Sequence, residues 1–380
     1  MKNSNVRQSI TYPLVSSVTG ARYIPTVSTP LGIGTVSLST EEKTLKRASE
    51  DMRQILIKWR DMGGKPQGSA TVDEIRKLPT LIDAMKARLR DQGRNPNPFA
   101  EELDVRITDT TYPTEGRQLD ARIYAPKPRL NPGGGNLPVI VYYHGGVWVL
   151  GSILSGETSA LALAVRCQAI VVSIDYGSAP ENRFPSQHEA AFNAYTWVLQ
   201  NAESWGGDPE RIALAGESAG GNLAINTAIM ARDMAVPRPK YMLLIHPVTG
   251  TDMNTPSYKK NAIAMPLNRR AMDWCFNNVF SSDQDALSPL IDVLGRADLH
   301  NLPPATIITA DIDPLMSEGR MLANRMREAG TTVNYKNYMG VTHEFFGLAA
   351  AIAPALRAQG TAAHDIRQAF SKALRDRSVS

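Results

Sequence analysis

A chain of 380 residues with 43% hydrophobic and 21% charged side chains has an ordinary globular composition, which argues against long disorder and against a membrane protein. The net charge of +4 is spread thinly, with only short pairs such as Lys259-Lys260 and Arg269-Arg270, so a nucleic-acid partner has no support. The longest apolar stretches, around Val139 to Val149 and Tyr241 to Val248, are far shorter than the roughly 20 residues a membrane span needs.

Met1 to Gln8 has no apolar core of a secretion signal. A cytoplasmic location is therefore expected, or a secreted or periplasmic one if a signal has been removed. Residues 1 to about 38 are rich in Ser, Thr, Pro and Gly without a sustained period and read as an irregular arm. A capping box, Ser39-Thr40-Glu41-Glu42, then opens one amphipathic helix in which Leu45, Ala48, Met52, Ile55, Leu56 and Trp59 share a face and Gly63-Gly64 ends the run. A second box, Thr71-Val72-Asp73-Glu74, starts a helical turn that Pro79 resets; Ile82, Met85 and Leu89 carry the period on to Gly93. Both helices need a surface to cover.

After Pro96 and Pro98 the pattern changes to strands. Leu103 to Thr108 and Leu119 to Tyr124 alternate, whereas Val139 to Tyr143 is continuously apolar, which predicts outer antiparallel strands leading into a buried parallel sheet. Further buried strands are expected at Ala169 to Ile174, Ile212 to Ala215, Tyr241 to Ile245, Thr306 to Ala310 and Thr332 to Tyr335. Helical patterns lie between them, near Ser159 to Arg166, His188 to Gln200, Ser218 to Ala231, Ser317 to Ala329 and His364 to Leu374. This alternation predicts a doubly wound α/β fold. The stretch Thr249 to Asp285 interrupts it and reads as a cap insertion, with Met253, Met265 and Met272 as cap core or as an adaptable substrate wall. Cys167 and Cys275 are far apart with no C-x-x-C spacing, so neither a disulfide framework nor a zinc site is suggested, and both are expected to be small buried hydrophobes.

The chemistry centres on Gly216-Glu217-Ser218-Ala219-Gly220. G-x-S-x-G alone is a weak signal, but here a strand pattern precedes it and a helix pattern follows, the context in which a sharp turn lifts the serine hydroxyl above a sheet. Gly216 and Gly220 supply the small neighbours, and Ala219 offers its backbone N–H to a developing oxyanion. A serine hydroxyl needs a base, and the base an orienting carboxylate, in the chain order Ser, Asp or Glu, His for this type of sheet. Downstream histidines are His246, His300, His343 and His364, of which His343 follows the last expected strand. Asp311 and Asp313 both stand at the carboxyl end of the strand from Thr306, with Asp313 favoured by Pro314 behind it and Asp311 the alternative. His144-Gly145-Gly146-Val147-Trp148 ends the third strand, where its glycines turn N–H groups toward a substrate oxygen.

Six segments in this order resemble the hormone-sensitive-lipase family of carboxylesterases within the α/β-hydrolases, over about residues 103 to 350. His144-Gly145-Gly146-Val147 is similar to its H-G-G-G, Asp175-Tyr176-Gly177-Ser178-Ala179-Pro180-Glu181 to D-Y-R-L-A-P-E, Gly216 to Gly220 to G-D-S-A-G, Ser288-Pro289-Leu290 to S-P-L, Asp313-Pro314-Leu315 to D-P-L, and His343-Glu344-Phe345-Phe346 to H-G-F. The resemblance implies an α/β-hydrolase fold, a mostly parallel eight-stranded sheet flanked by helices under a helical cap. It implies a Ser218, Asp313, His343 triad, an oxyanion hole from the N–H groups of Gly145, Gly146 and Ala219, and ester hydrolysis without metal or cofactor. On this reading residues 1–100 form an N-terminal arm and cap helices, 101–248 and 286–380 the catalytic core, and 249–285 a cap insertion. The partner is a small-molecule ester, and a homodimer is possible because related esterases are often dimers.

Departures bear on detail. Val147 replaces the third glycine, and as a larger, stiffer residue it is expected to narrow the alcohol side of the pocket; Trp148 either lines the pocket or packs below the cap. Glu217 replaces Asp and is expected to anchor the elbow, since one carboxylate suffices for the triad. His144 is expected to fix the oxyanion loop, and His246, beside Pro247 at a strand end, to pack or to touch substrate. Competing readings are an amidase, carbamate hydrolase or acyltransferase with the same residues, and a non-catalytic receptor, which His343 argues against because receptors of this kind have lost the triad histidine.

Overall fold

The computed structural model describes residues 38–96, 105–126 and 135–379, and the arm expected up to about residue 38 lies outside the described residues except for its last one. Eight strands form one sheet: β1 (Val105–Thr114), β2 (Arg117–Pro126), β3 (Leu137–Tyr143), β4 (Ile170–Ile174), β5 (Gly207–Glu217), β6 (Tyr241–Ile245), β7 (Ala305–Ile312) and β8 (Val333–Thr342), in the order β1-β2-β4-β3-β5-β6-β7-β8. β2 runs antiparallel to both β1 and β4, and every other pair is parallel. The change from alternating to continuous apolarity therefore marks the passage from the antiparallel edge to the parallel interior.

The interior strands are apolar throughout because both faces are covered. In β3, Val139, Val141 and Tyr143 enter one core while Ile140 and Tyr142 enter the other. The first core is closed by helices α6 (Ser186–Asn201), α7 (Ala219–Asp233) and α11 (Met316–Glu328). The second is closed by α5 (Glu157–Cys167), α12 (Ala353–Val379) and two N-terminal helices, α2 (Glu50–Asp61) and α4 (Leu81–Asp91). Cys167 and Cys275 are buried and unpaired, and burial pushes the Cys167 thiol up to about 12, so both serve as hydrophobes.

Several element limits differ from the sequence reading. The first amphipathic helix is two, α1 (Leu38–Arg47) and α2, because the Ser49 N–H turns out of the helix to donate to Gly340 O of β8 at 2.8 Å. A short α3 (Val72–Ile75) has the expected Thr71–Glu74 capping box, and α4 has another built from Thr80 and Asp83. The buried stripe of α4 is Leu81, Ala84, Met85 and Leu89 rather than Ile82, which turns toward the site described below. β8 is longer than Thr332 to Tyr335, and α12 extends far beyond His364 to Leu374. Within residues 249–285 stand two helices, α8 (Pro256–Lys260) and α9 (Arg269–Val279), and a short α10 (Val293–Arg296) follows them before β7. Met265 and Met272 are buried and Met253 packs against the core, so these methionines belong to packing rather than to a substrate wall.

Candidate active site

Five chemistry-bearing residues each occupy the position immediately after a strand: His144 after β3, Ser218 after β5, His246 after β6, Asp313 after β7 and His343 after β8. The carboxyl edge of a parallel sheet is where ligands gather. Continuous buried strands thus bring to one edge residues separated by up to two hundred positions.

Ser218 is held in a left-handed conformation, φ 56°, ψ −117°. Its N–H donates to Ile245 O at 2.9 Å, while its carbonyl accepts from Gly221 and Val248 N–H at 3.0 and 3.1 Å, so neighbouring strands impose the turn. A Cβ on Gly216 would lie 2.0 Å from Gly220 O, and one on Gly220 would lie 2.0 Å from Tyr143 O. No larger residue fits at either place. The Ser218 side chain is buried and its Oγ makes no hydrogen bond among the described residues, while Ala219 begins the fifteen-residue α7 directly behind it.

His343 Nδ1 and Asp313 Oδ2 are 2.8 Å apart. Asp313 is fully buried, accepts the Leu315 N–H on Oδ1 at 2.9 Å, and is braced through its carbonyl by Asn261 Nδ2 at 2.8 Å. Burial works against protonation of the His343 ring, but Asp313, with Glu344 and Glu217, outweighs it and holds the imidazole above its ordinary value. Asp311 faces elsewhere, 3.5 Å from Arg47 and 3.4 Å from Lys260, so of the two aspartates only Asp313 meets His343. His300 and His364 are exposed, and His188 bonds Asn222 at 2.8 Å in the core.

His144 matches its expected structural part. Its Nδ1 lies 2.7 Å from Gly145 O, and Tyr176 stacks on the ring at 4.4 Å and donates to His144 O at 3.0 Å. Gly146, at φ 118°, leaves no room for a Cβ, which would lie 1.9 Å from Leu150 O, and Gly145 packs against Glu217 and Ser218. Glu217 accepts from Tyr142 Oη at 2.7 Å, tying the elbow to β3. Burial raises its carboxyl above the usual range, with hydrogen bonds from Ser159 and Tyr142 opposing. The His246 ring centroid is 4.2 Å from that of His343, and its Nε2 is 3.8 Å from Glu217 Oε2. Burial, then the neighbouring His343, depress its protonation well below the ordinary histidine value, so His246 is a neutral ring.

Val147 departs from the sequence expectation, and of the two alternatives for Trp148 the structure shows packing rather than pocket lining. Both adopt left-handed backbone, φ 47° and 59°, which rotates their side chains into the first core; the cavity beside Ser218 is lined there by Gly145, Gly146 and Leu150. The narrowing expected of Val147 is therefore not carried by its side chain. The cavity, about 160 Å³, is also lined by Glu217, Ser218 and His246 and, from the N-terminal helices and their connections, by Trp59, Gln67, Arg76 and Ile82. Gln67 and Glu344 escaped the sequence reading. Glu344 had one available signal, a non-glycine next to the candidate base at a position that takes φ 67°; Gln67 had none.

The described residues contain one His/Asp grouping compact enough for a metal, His246, Asp313 and His343, with ligand atoms within 4.8 Å of one another. Asp313 and His343 are already spent on each other there, and a metal would have to break that bond. Among the described residues, no helix is long and apolar enough to cross a membrane.

A buried carboxylate next to this edge offers a stability test. Glu318 of α11 accepts the Thr249 N–H at 2.7 Å and its hydroxyl at 2.9 Å, yet burial pushes its carboxyl up to about 8. A carboxyl with a folded value above its unfolded one favours folding when protonated. That contribution is complete below the ordinary value of about 4.3 and is lost as pH rises through about 8. Glu318→Gln is expected to remove a loss of stability on the order of a few kcal/mol between pH 5 and 8, read as a flatter Tm against pH than the wild type. Parallel Tm curves for the two proteins would contradict it.

Comparison with known proteins gives a consistent outcome. Residues 140–347 match the family model of the α/β hydrolase fold. The chain is 39% identical over 294 residues to carboxylesterase NlhH of Mycobacterium tuberculosis, covering 76% of this chain and 90% of that protein. Esterase LipI of the same organism is 35% identical, with 73% and 85% covered. Among solved structures, a hyperthermophilic esterase from Pyrobaculum calidifontis superposes with a TM-score of 0.73 at 35% identity over 85% of this chain and 98% of that one. A thermostable esterase from Pseudomonas putida superposes at 0.75 with 26% identity over the same shares.

Proposed function

Since the chain belongs to the hormone-sensitive-lipase family of carboxylesterases on the α/β-hydrolase fold, we propose that it hydrolyses short- to medium-chain or small aromatic esters through an acyl-enzyme on Ser218. The observation that carries this reading is the convergence, at one sheet edge, of the strained Ser218 turn, which lines the cavity, and the buried Asp313–His343 pair. Ser218 Oγ attacks the ester carbonyl as His343 Nε2 takes its proton, and Asp313 holds the imidazole with its proton on Nδ1. The oxyanion is bound by the N–H groups of Gly145, Gly146 and Ala219, the last at the positive end of α7. The proton passes to the leaving alkoxide; water then attacks the acyl-enzyme with His343 as base, releasing the acid and restoring Ser218.

The size of the cavity supports the substrate range. A space near 160 Å³ is about what a benzene-sized group occupies, too little for a long acyl chain. Helices α2 to α4 and the segment 249–285 serve in this reading as the cap, since Trp59, Arg76 and Pro266 share the cavity wall with Ser218. A panel of p-nitrophenyl esters from acetate to palmitate is expected to give the highest kcat/KM at the short and medium lengths. A fluorophosphonate is expected to add its mass to the Ser218 peptide as activity disappears. Preference for palmitate would overturn the substrate range, and labelling elsewhere would overturn the nucleophile.

A further inference from the structure

The wall of the cavity away from the oxyanion loop is rich in acceptors. Glu344 follows the proposed base and is held at φ 67°, where a non-glycine residue is uncommon, so that its carboxylate lines the cavity. Its Oε1 accepts from Gln67 Nε2 at 3.3 Å. That bond fixes the orientation of the Gln67 amide and leaves Gln67 Oε1, in a side chain only 8% exposed, without a donor among the described residues. Glu217 stands on the same wall with hydrogen bonds from Tyr142 and Ser159 and its Oε2 3.8 Å from His246 Nε2, and neither nitrogen of the buried His246 makes a hydrogen bond among the described residues. Arg76, which also lines the cavity, is spent on Glu181 and on the carbonyls of Val149 and Ala179, and the lining Lys65 is exposed.

Buried acceptors without donors cost free energy unless a ligand supplies the donor. Resting on the ester-hydrolase reading, we infer that Gln67, Glu344 and Glu217 form a subsite for a protonated amine, so that this carboxylesterase prefers esters carrying an ammonium group a few atoms from the scissile bond. An ammonium offers three donors and a charge, which suits an unpartnered amide oxygen held against one carboxylate with a second on the same cavity wall. A methyl group of the same size leaves the Gln67 amide oxygen without a donor and brings no charge to Glu344 and Glu217. The titration behaviour agrees: burial, with the charge of Glu344 adding to it, raises Glu217, and burial likewise raises Glu344, so a cation relieves both.

The test uses matched pairs differing in –NH3⁺ against –CH3, with the group on the acyl side (ethyl 3-aminopropanoate against ethyl butanoate, ethyl 6-aminohexanoate against ethyl heptanoate) and on the alcohol side (6-aminohexyl acetate against heptyl acetate). Each kcat/KM is divided by the hydroxide-catalysed rate constant of the same ester, removing intrinsic reactivity. In at least one pair the ammonium ester is expected to be favoured on the order of 10- to 100-fold, the range of a hydrogen bond to a charged group. In Glu344→Gln and in Gln67→Leu that ratio is expected to fall tenfold or more. A ratio within a pair is unaffected by partial misfolding or by a changed His343, since both esters meet the same active sites. The inference is overturned if the methyl ester is equal or better in every pair, or if the ammonium preference survives both substitutions. Loss of hydrolysis of every ester, ethyl butanoate included, in the wild type overturns the parent reading itself and the subsite with it. The corresponding hydroxyl esters separate charge from donation: a hydroxyl favoured over ammonium also counts against the proposal.

Discussion

Replacing Ser218 by Ala is expected to lower kcat by about 10⁶-fold, the scale at which nucleophile removal acts in serine hydrolases, while leaving the fold intact. The two halves have separate physical causes. Chemically, the proposed acyl-enzyme cannot form, and only substrate positioning and the proposed oxyanion donors Gly145, Gly146 and Ala219 remain to act on water. Structurally, Ser218 Oγ is a buried hydroxyl with no hydrogen bond among the described residues, so its removal eliminates an unsatisfied polar atom rather than a hydrogen bond. The turn is held through the Ser218 backbone N–H and carbonyl by Ile245, Gly221 and Val248, bonds that do not involve the hydroxyl. Steady-state rates and Tm on the same preparation check both parts. Near-full ester hydrolysis by the variant would remove Ser218 from the mechanism, and a large fall in Tm would show the turn to depend on the side chain.

The parts of this molecule legible in the sequence are those fixed by local chemistry or by burial on two sides. Val139 to Tyr143 and Tyr241 to Ile245 are continuously apolar because each side of those strands meets a separate core, and that pattern locates His144 and His246 at their ends. Gly216 and Gly220 are readable for the opposite reason, since no side chain fits where their Cβ atoms would lie. Edge elements were harder. β8 carries Lys336, Asn337 and Tyr338 at a half-exposed margin, so its polar residues hide seven of its ten positions beyond Tyr335. In α12 the buried stripe of Ala355, Ala358 and Ala362 flanks an exposed Gly360, and glycine in such a run disguises a helix. Features decided by contacts distant in sequence were not readable. The break at Ser49 depends on Gly340, and Gln67 reaches Glu344 across 277 positions. The left-handed turn at Val147 and Trp148 misled more directly, because a residue beside an oxyanion loop in sequence is turned into the core by its backbone.

The second large effect belongs to Asp313. Its two carboxylate oxygens each face a donor, the His343 ring at 2.8 Å and the Leu315 N–H at 2.9 Å, and the group is fully buried. A carboxylate only accepts, so His343 Nδ1 must carry the proton there, and Nε2 is left with the lone pair that takes the serine proton in the proposed mechanism. Asn in its place has one acceptor for two donors. If the amide oxygen stays on Leu315, its NH2 faces Nδ1, which must then become the acceptor; the ring proton moves to Nε2 and the base is lost. If the oxygen turns to His343, the NH2 confronts the Leu315 N–H with no water to relieve it. Asp313→Asn is expected to lower kcat by about 10⁴-fold, the effect of an inverted tautomer. The residual activity has a further signature. His343 must be neutral to act, and Asp313 is the principal group holding its protonation above the ordinary value against burial. With that charge removed, burial prevails, and the acid limb of kcat/KM is expected to move to lower pH. Asp311→Asn, which disturbs only the contacts to Arg47 and Lys260, is expected to change kcat by no more than a few-fold and to leave the acid limb in place. If the larger loss followed Asp311, or if Asp313→Asn kept the wild-type pH profile, the orienting carboxylate would have to be sought elsewhere on the sheet edge.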